Sequence, residues 1–257
     1  MRLFLIALQF LTIIPLPFSV RCDERDLGRS MALFPLVGLT LGGLLVGADF
    51  ILARFLPWQV ARFLPWQVAD LLLIVILTAV TGALHLDGLA DVCDGLAARG
   101  GRERFLAVMK DPHTGAVGVA GLVLGLLLKY QALLHMPPEI RREALLFFPA
   151  VARFSQVQMT VGAKRARSDG LGSLFVGGAV TLQFVIAGLI TLAAAFFLLE
   201  AKGVYCFLVG WFFTWGMKGW FHRRLGGITG DVLGCVSELN EIVCLLALVA
   251  LFGGQNP

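Results

Sequence analysis

The stretch LLLIVILTAVTGALHLDGLADVCDGL, residues 71–96, decides how this chain is read. Its first half is apolar without a break; its second half carries Asp87, Asp91 and Asp94. A helix that crosses a bilayer needs about 20 predominantly apolar residues. The stretch therefore reads as a membrane span over roughly 69–86 with three carboxylates at its mouth.

The same apolar density runs through the rest of the chain. Of its 257 residues 58% are hydrophobic and only 15% charged, and the mean hydropathy is +0.85. Soluble domains carry about 25% charged residues. No polar stretch is long enough to bury a core of its own, so residues 1–257 read as one integral membrane domain. Further spans are expected at 31–53, 115–136, 143–163, 175–200, 203–221 and 235–253. The fold class is all-α: a polytopic membrane helix bundle of about seven transmembrane helices, preceded by a short N-terminal hydrophobic or re-entrant helix. That first segment, MRLFLIALQFLTIIPLPF, imitates a signal peptide. It has no clear small-residue cleavage site and is broken by Pro15 and Pro17, so it is read as retained. The five cysteines are odd in number and form no CxxC, which suits reduced thiols packed in or near the bilayer.

Charge sets the orientation. Lys plus Arg exceed Asp plus Glu by 21 to 17. In a membrane protein such a surplus anchors cytoplasmic loops, so no nucleic-acid partner is implied. Residues 21–29, 99–110, 164–167 (KRAR) and 222–224 (HRR) are basic connections on one side. The connections near 54–68, 137–142 and 200–202 fall on the other, with Arg54, Arg62, Arg141, Arg142 and Lys202. The balance makes the first side cytoplasmic. The octapeptide ARFLPWQV, at 53–60 and again at 61–68, reads as a tolerated local duplication carrying Trp58 and Trp66.

The chemistry gathers on the first side. Asp87, Asp91 and Asp94 are spaced four and three apart and share one helical face. Carboxylates so placed repel each other unless a cation sits among them. Mg²⁺ takes oxygen ligands and is often held by one or two carboxylates plus substrate phosphates. One or two Mg²⁺ ions gripping a diphosphate would suit the spacing; a solvated acidic helix end is the plainer reading, disfavoured by the interleaved Leu86, Leu89, Val92 and Leu96. In MKDPHTGAVG, 109–118, Lys110 and Asp111 precede Pro112, while Gly115 and Gly118 leave backbone N–H groups open to an anion at a helix start. Lys110 reads equally as a snorkelling anchor, and His113 as an interfacial residue. Lys164, Arg165 and Arg167 suit either a phosphate grip or a positive anchor. Arg153 lies within an apolar segment and needs an anionic partner facing a cavity. Asp231, Glu238 and Glu241 make a second acidic patch after the flexible GGITG turn. Two acid clusters and several cations on one side describe a site that handles a diphosphate better than a transport path.

HLDGLADVCDGL, MKDPHTGAVG and GGITGDVLGCVSELNE, with FLTIIPLP and FPLVGLTLGG before them, resemble the cobalamin synthase family, the adenosylcobinamide-GDP ribazoletransferases. The likeness covers nearly the whole chain in matching order, and H-x-D-G-x-x-D-x-x-D is its most specific motif. The resemblance implies a Mg²⁺-dependent, multi-pass enzyme of a bacterial or archaeal inner membrane, with its active site facing the cytoplasm and lipid around it. It would join adenosylcobinamide-GDP to α-ribazole or its 5′-phosphate and release GMP. It implies Asp87, Asp91 and Asp94 as metal ligands. Arg153, Lys110, Lys164, Arg165 and Arg167 would contact phosphates, and Asp111, Asp231, Glu238 and Glu241 would orient substrates or add ligands. Asp94 and His85 are both candidates for the proton acceptor. A homo-oligomer, or a complex with other late cobalamin-assembly enzymes, is compatible with this role.

Rival readings share part of the pattern. Asp91, Asp94, Gly95, Ala98 and Arg99 match the first half of the CDP-alcohol phosphotransferase motif, D-x-x-D-G-x-x-A-R; the second half is missing. UbiA-type prenyltransferase motifs are only loosely echoed by Asp87 and Asp91. A transporter would place paired charges near helix centres and show inverted repeats, and apart from Arg153 neither feature is present.

Overall fold

A computed structural model of the chain describes residues 1–15, 22–55, 67–167, 175 and 181–253. Most of the ARFLPWQV duplication, including both tryptophans, lies outside the described residues. Ten α-helices, with two short 3-10 helices at Met31–Leu33 and Pro138–Ile140, make up the described fold: α1 Arg2–Leu11, α2 Glu24–Ser30, α3 Phe34–Phe55, α4 Gln67–Val80, α5 Leu84–Ala97, α6 Arg102–Val108, α7 Ala116–Leu134, α8 Arg141–Thr160, α9 Thr181–Leu225 and α10 Gly230–Phe252. Among these residues the one β-type pairing is an isolated parallel bridge between Arg165 and Ile228. The expected all-α fold is what forms.

Four helical segments are long and apolar enough to cross a bilayer: Arg25–Arg54, α7, α9 and α10. Taking α4 and α5 together as one broken span makes five. The differences from the expected spans have local causes. The apolar run at 69–86 does not continue as one rod, because Gly82 and Ala83 both take left-handed backbone, with φ of 61° and 56°. The resulting bend is 92°. The three aspartates therefore sit on a separate helix, α5, and not at the end of α4.

A straight helix of the 45 residues in α9 would be about 67 Å long, twice a bilayer core. It is not straight. Glu200 takes φ 52° and ψ −139°, and the chain doubles back. The rings of Phe184 and Trp211, 27 residues apart, lie 5.5 Å from centroid to centroid. The segments expected at 175–200 and 203–221 are thus the two antiparallel arms of one hairpin. Gly203 is required at its tip: a Cβ there would fall 2.2 Å from the Ala195 carbonyl oxygen.

α8, expected as a span at 143–163, forms as a helix of 20 residues and is the buried centre of the bundle. From Phe147 to Thr160 it is enclosed on every side, Arg153 included. It packs against α3 at Gly38 and Gly42, a small-xxx-small pair that lets backbones meet.

The loops sort to two ends. At one end Arg102 donates from Nε to the Leu225 carbonyl at 2.6 Å and from a terminal nitrogen to the Ala166 carbonyl at 3.0 Å, tying three basic connections together. At the other end Arg141 pairs with Asp49 at 2.9 Å and with Asp70 at 2.5 Å. That pairing neutralises one of the positive charges that blurred the sequence-based orientation.

Candidate active site

A cavity of about 480 Å³ opens at the end of the bundle that carries the basic connections. α5 supplies His85 and Asp87 to its wall, α8 supplies Gln156, and α10 supplies Asp231. Each is there for a local reason. Thr229 caps α10 by accepting from the Val232 N–H at 3.2 Å, which sets Asp231 in the first turn, where the helix dipole favours a carboxylate. The 164–167 segment is pinned to the turn before α10: Ile228 N–H donates to the Lys164 carbonyl at 2.9 Å, and Ala166 N–H to the Ile228 carbonyl at 3.0 Å. This brings Arg167 onto the cavity wall, where it pairs with Asp231 at 2.8 Å. Asp91, half-buried one turn beyond Asp87, stands in the field of Asp87, Asp231 and Arg167. Helices α5 and α10 come this close because a Cβ at Gly88 would fall 2.5 Å from the Asp231 carbonyl oxygen.

Asp94 shares the stripe but faces elsewhere. Its two oxygens accept the Gly115 and Gly118 N–H groups at 2.6 and 2.7 Å. The anion expected at the start of α7 is therefore the protein's own carboxylate. Both glycines make room for it, since a Cβ at Gly118 would fall 2.3 Å from one of its oxygens. Asp94→Asn would turn an amide N–H against a backbone N–H. It is expected to cost about 1.5–3 kcal/mol, the worth of hydrogen bonds to a charged group. Thermal unfolding in detergent would measure this, and an unchanged melting temperature would refute it.

A second, more open pocket of about 560 Å³ lies beside this junction, lined by Asp94, Arg99, Arg104, Asp111 and His113 among others. Asp111 accepts from the His113 N–H at 3.0 Å and contacts its ring nitrogen at 2.8 Å. Those contacts hold its carboxyl below the ordinary carboxylate range. Lys110, Lys164 and Arg165 are exposed at the same end and line neither cavity.

Arg153, Glu238 and Glu241 are not brought to the 480 Å³ cavity. Arg153 has its anionic partner, donating to Glu241 at 2.8 Å and to Ser237 at 3.2 Å. Lys129, from the middle of α7, binds Glu238 and Glu241 together. These side chains form a closed ionic cluster inside the bundle. Lys129 went unremarked in the sequence because its partners lie 109 and 112 residues away. Gln156 was missed as well, though it follows Arg153 by three residues and shares its helical face.

The fold and site together define a class: an all-α bundle of membrane type with carboxylates, an arginine and a histidine gathered on one cavity. The chain belongs to the cobalamin-5-phosphate synthase family, whose model matches residues 3–249. A protein of Geotalea daltonii named adenosylcobinamide-GDP ribazoletransferase is 65% identical over 253 residues, covering 98% of this chain and 99% of its own. Proteins with the same name from Thermoanaerobacter pseudethanolicus and Acetivibrio thermocellus are each 32% identical. The first aligns over 96% of both chains, the second over 94% of this chain and 95% of its own. No solved structure matches the chain.

Proposed function

We propose that this chain is a membrane-embedded transferase that joins adenosylcobinamide-GDP to α-ribazole or its 5′-phosphate. The products would be adenosylcobalamin or its phosphate, and GMP. The observation that carries the reading is the meeting of Asp87, Asp231 and Arg167 on one cavity in a chain whose 65% identical relative bears that activity's name.

The residues fit a hard divalent cation in part. Asp87, Asp91 and Asp231 offer carboxylate oxygens, the donor type Mg²⁺ prefers. Among the described residues no three His, Cys, Asp or Glu side chains converge tightly enough to hold a metal alone. Mg²⁺ at such carboxylates is commonly completed by substrate phosphates and water. Asp87, Asp91 and Asp231 would hold the ion, and when bound it would neutralise the charge that develops as GMP leaves.

The chain's own groups do the rest. The ribose 3′-hydroxyl of the ribazole attacks the phosphorus on the corrin side, and the bond to GMP breaks. Arg167, with Lys110, Lys164 and Arg165 at the same end, binds the phosphate oxygens. The Gln156 amide nitrogen stands 2.8 Å from His85 Nε2. With the amide donating, the neutral imidazole carries its proton at Nδ1 and gives a hydrogen bond to the phosphoryl group. The hydroxyl proton passes to a carboxylate oxygen, Asp87 being the one exposed on the cavity wall. Asp94 does not line this cavity, and its two oxygens are already engaged by the Gly115 and Gly118 N–H groups.

Purified protein in lipid is expected to release GMP from adenosylcobinamide-GDP and α-ribazole only when a divalent cation is present, and to stop on chelation. No GMP under those conditions, or full turnover in excess chelator, would sink the reading.

A further inference from the structure

We infer that the aromatic half of the 480 Å³ cavity is the subsite for the flat base of the nucleoside substrate. The nucleoside binds base-first, its ribose toward Asp87, Asp231 and Arg167. The inference rests on the transferase reading and adds which of the two substrates the cavity takes and which way round it lies.

The cavity is divided by polarity. One wall is built from Phe10, Phe34 and Phe175. Their ring centroids lie 4.2, 5.8 and 6.2 Å apart in pairs; Phe34 and Phe175 are each 1% exposed, so the half-buried Phe10 is the ring a ligand meets, held in place by the other two. Aromatic side chains lining a site accept heteroaromatic bases by stacking, whatever the base. The same cavity lining also carries Asp87 and the Arg167–Asp231 pair. A ligand that satisfies both must be planar and apolar at one end, hydroxylated or phosphorylated at the other.

The lining also includes His85, only 3% exposed. Gln156 occupies its Nε2, and its Nδ1 has no hydrogen-bond partner among the described residues. A buried polar atom on a cavity wall calls for a partner. The ribose of a bound nucleoside supplies one until the phosphoryl group under attack takes its place. A hydrocarbon chain would fill the aromatic wall but leave Nδ1 unpaired and set methylenes against two carboxylates. Free phosphate would meet Arg167 and leave the Phe10 ring without a partner.

Size points the same way. Drug-sized ligands occupy pockets of about 300–1,000 Å³, and a benzimidazole nucleoside is of that size. A corrin bearing a nucleoside diphosphate is several times larger. It can bring its diphosphate to the carboxylates from outside while the nucleoside waits within.

The test uses the full-length protein in lipid nanodiscs. Calorimetric titration with α-ribazole alone is expected to show binding without the corrin substrate. Phe10→Leu is expected to raise the KM for α-ribazole roughly tenfold, the scale of one lost base–aromatic contact, with the KM for adenosylcobinamide-GDP unchanged. Free benzimidazole is expected to compete with α-ribazole on the wild type, a measurement that stands even if Phe10→Leu does not fold. The subsite is overturned, with the reaction left standing, if GMP release is intact and Phe10→Leu keeps the wild-type KM for α-ribazole. It is equally overturned if benzimidazole competes with adenosylcobinamide-GDP instead. Binding of α-ribazole without any GMP release supports the subsite and refutes the transferase reading.

Discussion

Lys129→Met is expected to destabilise the protein by about 3–5 kcal/mol, the usual cost of removing one partner from a buried ion pair. Lys129 is 4% exposed and Arg153 fully buried, and Glu238 and Glu241 are 5% and 1% exposed. Two cations face two carboxylates, so the cluster is neutral. Lys129 contacts both glutamates, whereas Arg153 contacts Glu241. Without the ammonium, Glu238 would be left as a buried charge with no cation bound to it. It would take up a proton or draw in water, and either response loosens the packing of α7 against α10. Pairing the substitution with Glu238→Leu removes the stranded charge, so the double variant should recover much of the loss. Thermal or denaturant unfolding in detergent measures both. A single variant that melts with the wild type, or a double variant no better than the single, would contradict this account.

The cluster also marks how far the sequence could be read. Arg153 announced itself, because a cation in an apolar helix is costly and must be compensated. Its partners did not, because helical periodicity relates only residues within a few turns. Glu238 and Glu241 looked like part of a substrate-facing acidic patch, and folding turned them inward onto Lys129. The acidic stripe was legible for the opposite reason. Spacings of four and three put Asp87, Asp91 and Asp94 on one face whatever the tertiary fold. What the stripe faces was not legible: Asp87 lines the cavity, while Asp94 two turns on caps α7. One bend was hidden too. Gly82–Ala83 breaks a run whose hydropathy continues unchanged, since a left-handed residue alters direction without altering composition, whereas the reversal at Glu200 falls at the connection expected at 200–202, where Glu200 and Lys202 interrupt the apolar run. Segment count by hydropathy therefore located the helices but not the 92° elbow that positions α5.

Asp87→Asn is expected to lower kcat by about a hundred- to a thousandfold, the effect typical of removing one preorganised electrostatic group from a site, and to leave the fold intact. The side chain is exposed on the cavity wall and carries no ion pair among the described residues. Its loss therefore leaves no buried group unsatisfied, and exposed substitutions of that kind usually stay within about 0.5 kcal/mol. The sign is predictable as well. Burial first, and then the neighbouring Asp87 and Asp231, raise the electrostatic cost of charge at Asp91, so without a bound cation the three acids repel. Removing one charge relieves that repulsion, and the metal-free variant should melt at or slightly above the wild type. Added Mg²⁺ should then raise the melting temperature of the wild type more than that of the variant, because ligand stabilisation follows the affinity of the folded state. The combination matters more than either result alone. Lost turnover with unchanged melting and a reduced Mg²⁺ response identifies a residue that acts on charge at the reacting phosphate. Lost turnover with a lowered melting temperature would instead make Asp87 part of the scaffold, and full turnover would remove the acidic stripe from the chemistry.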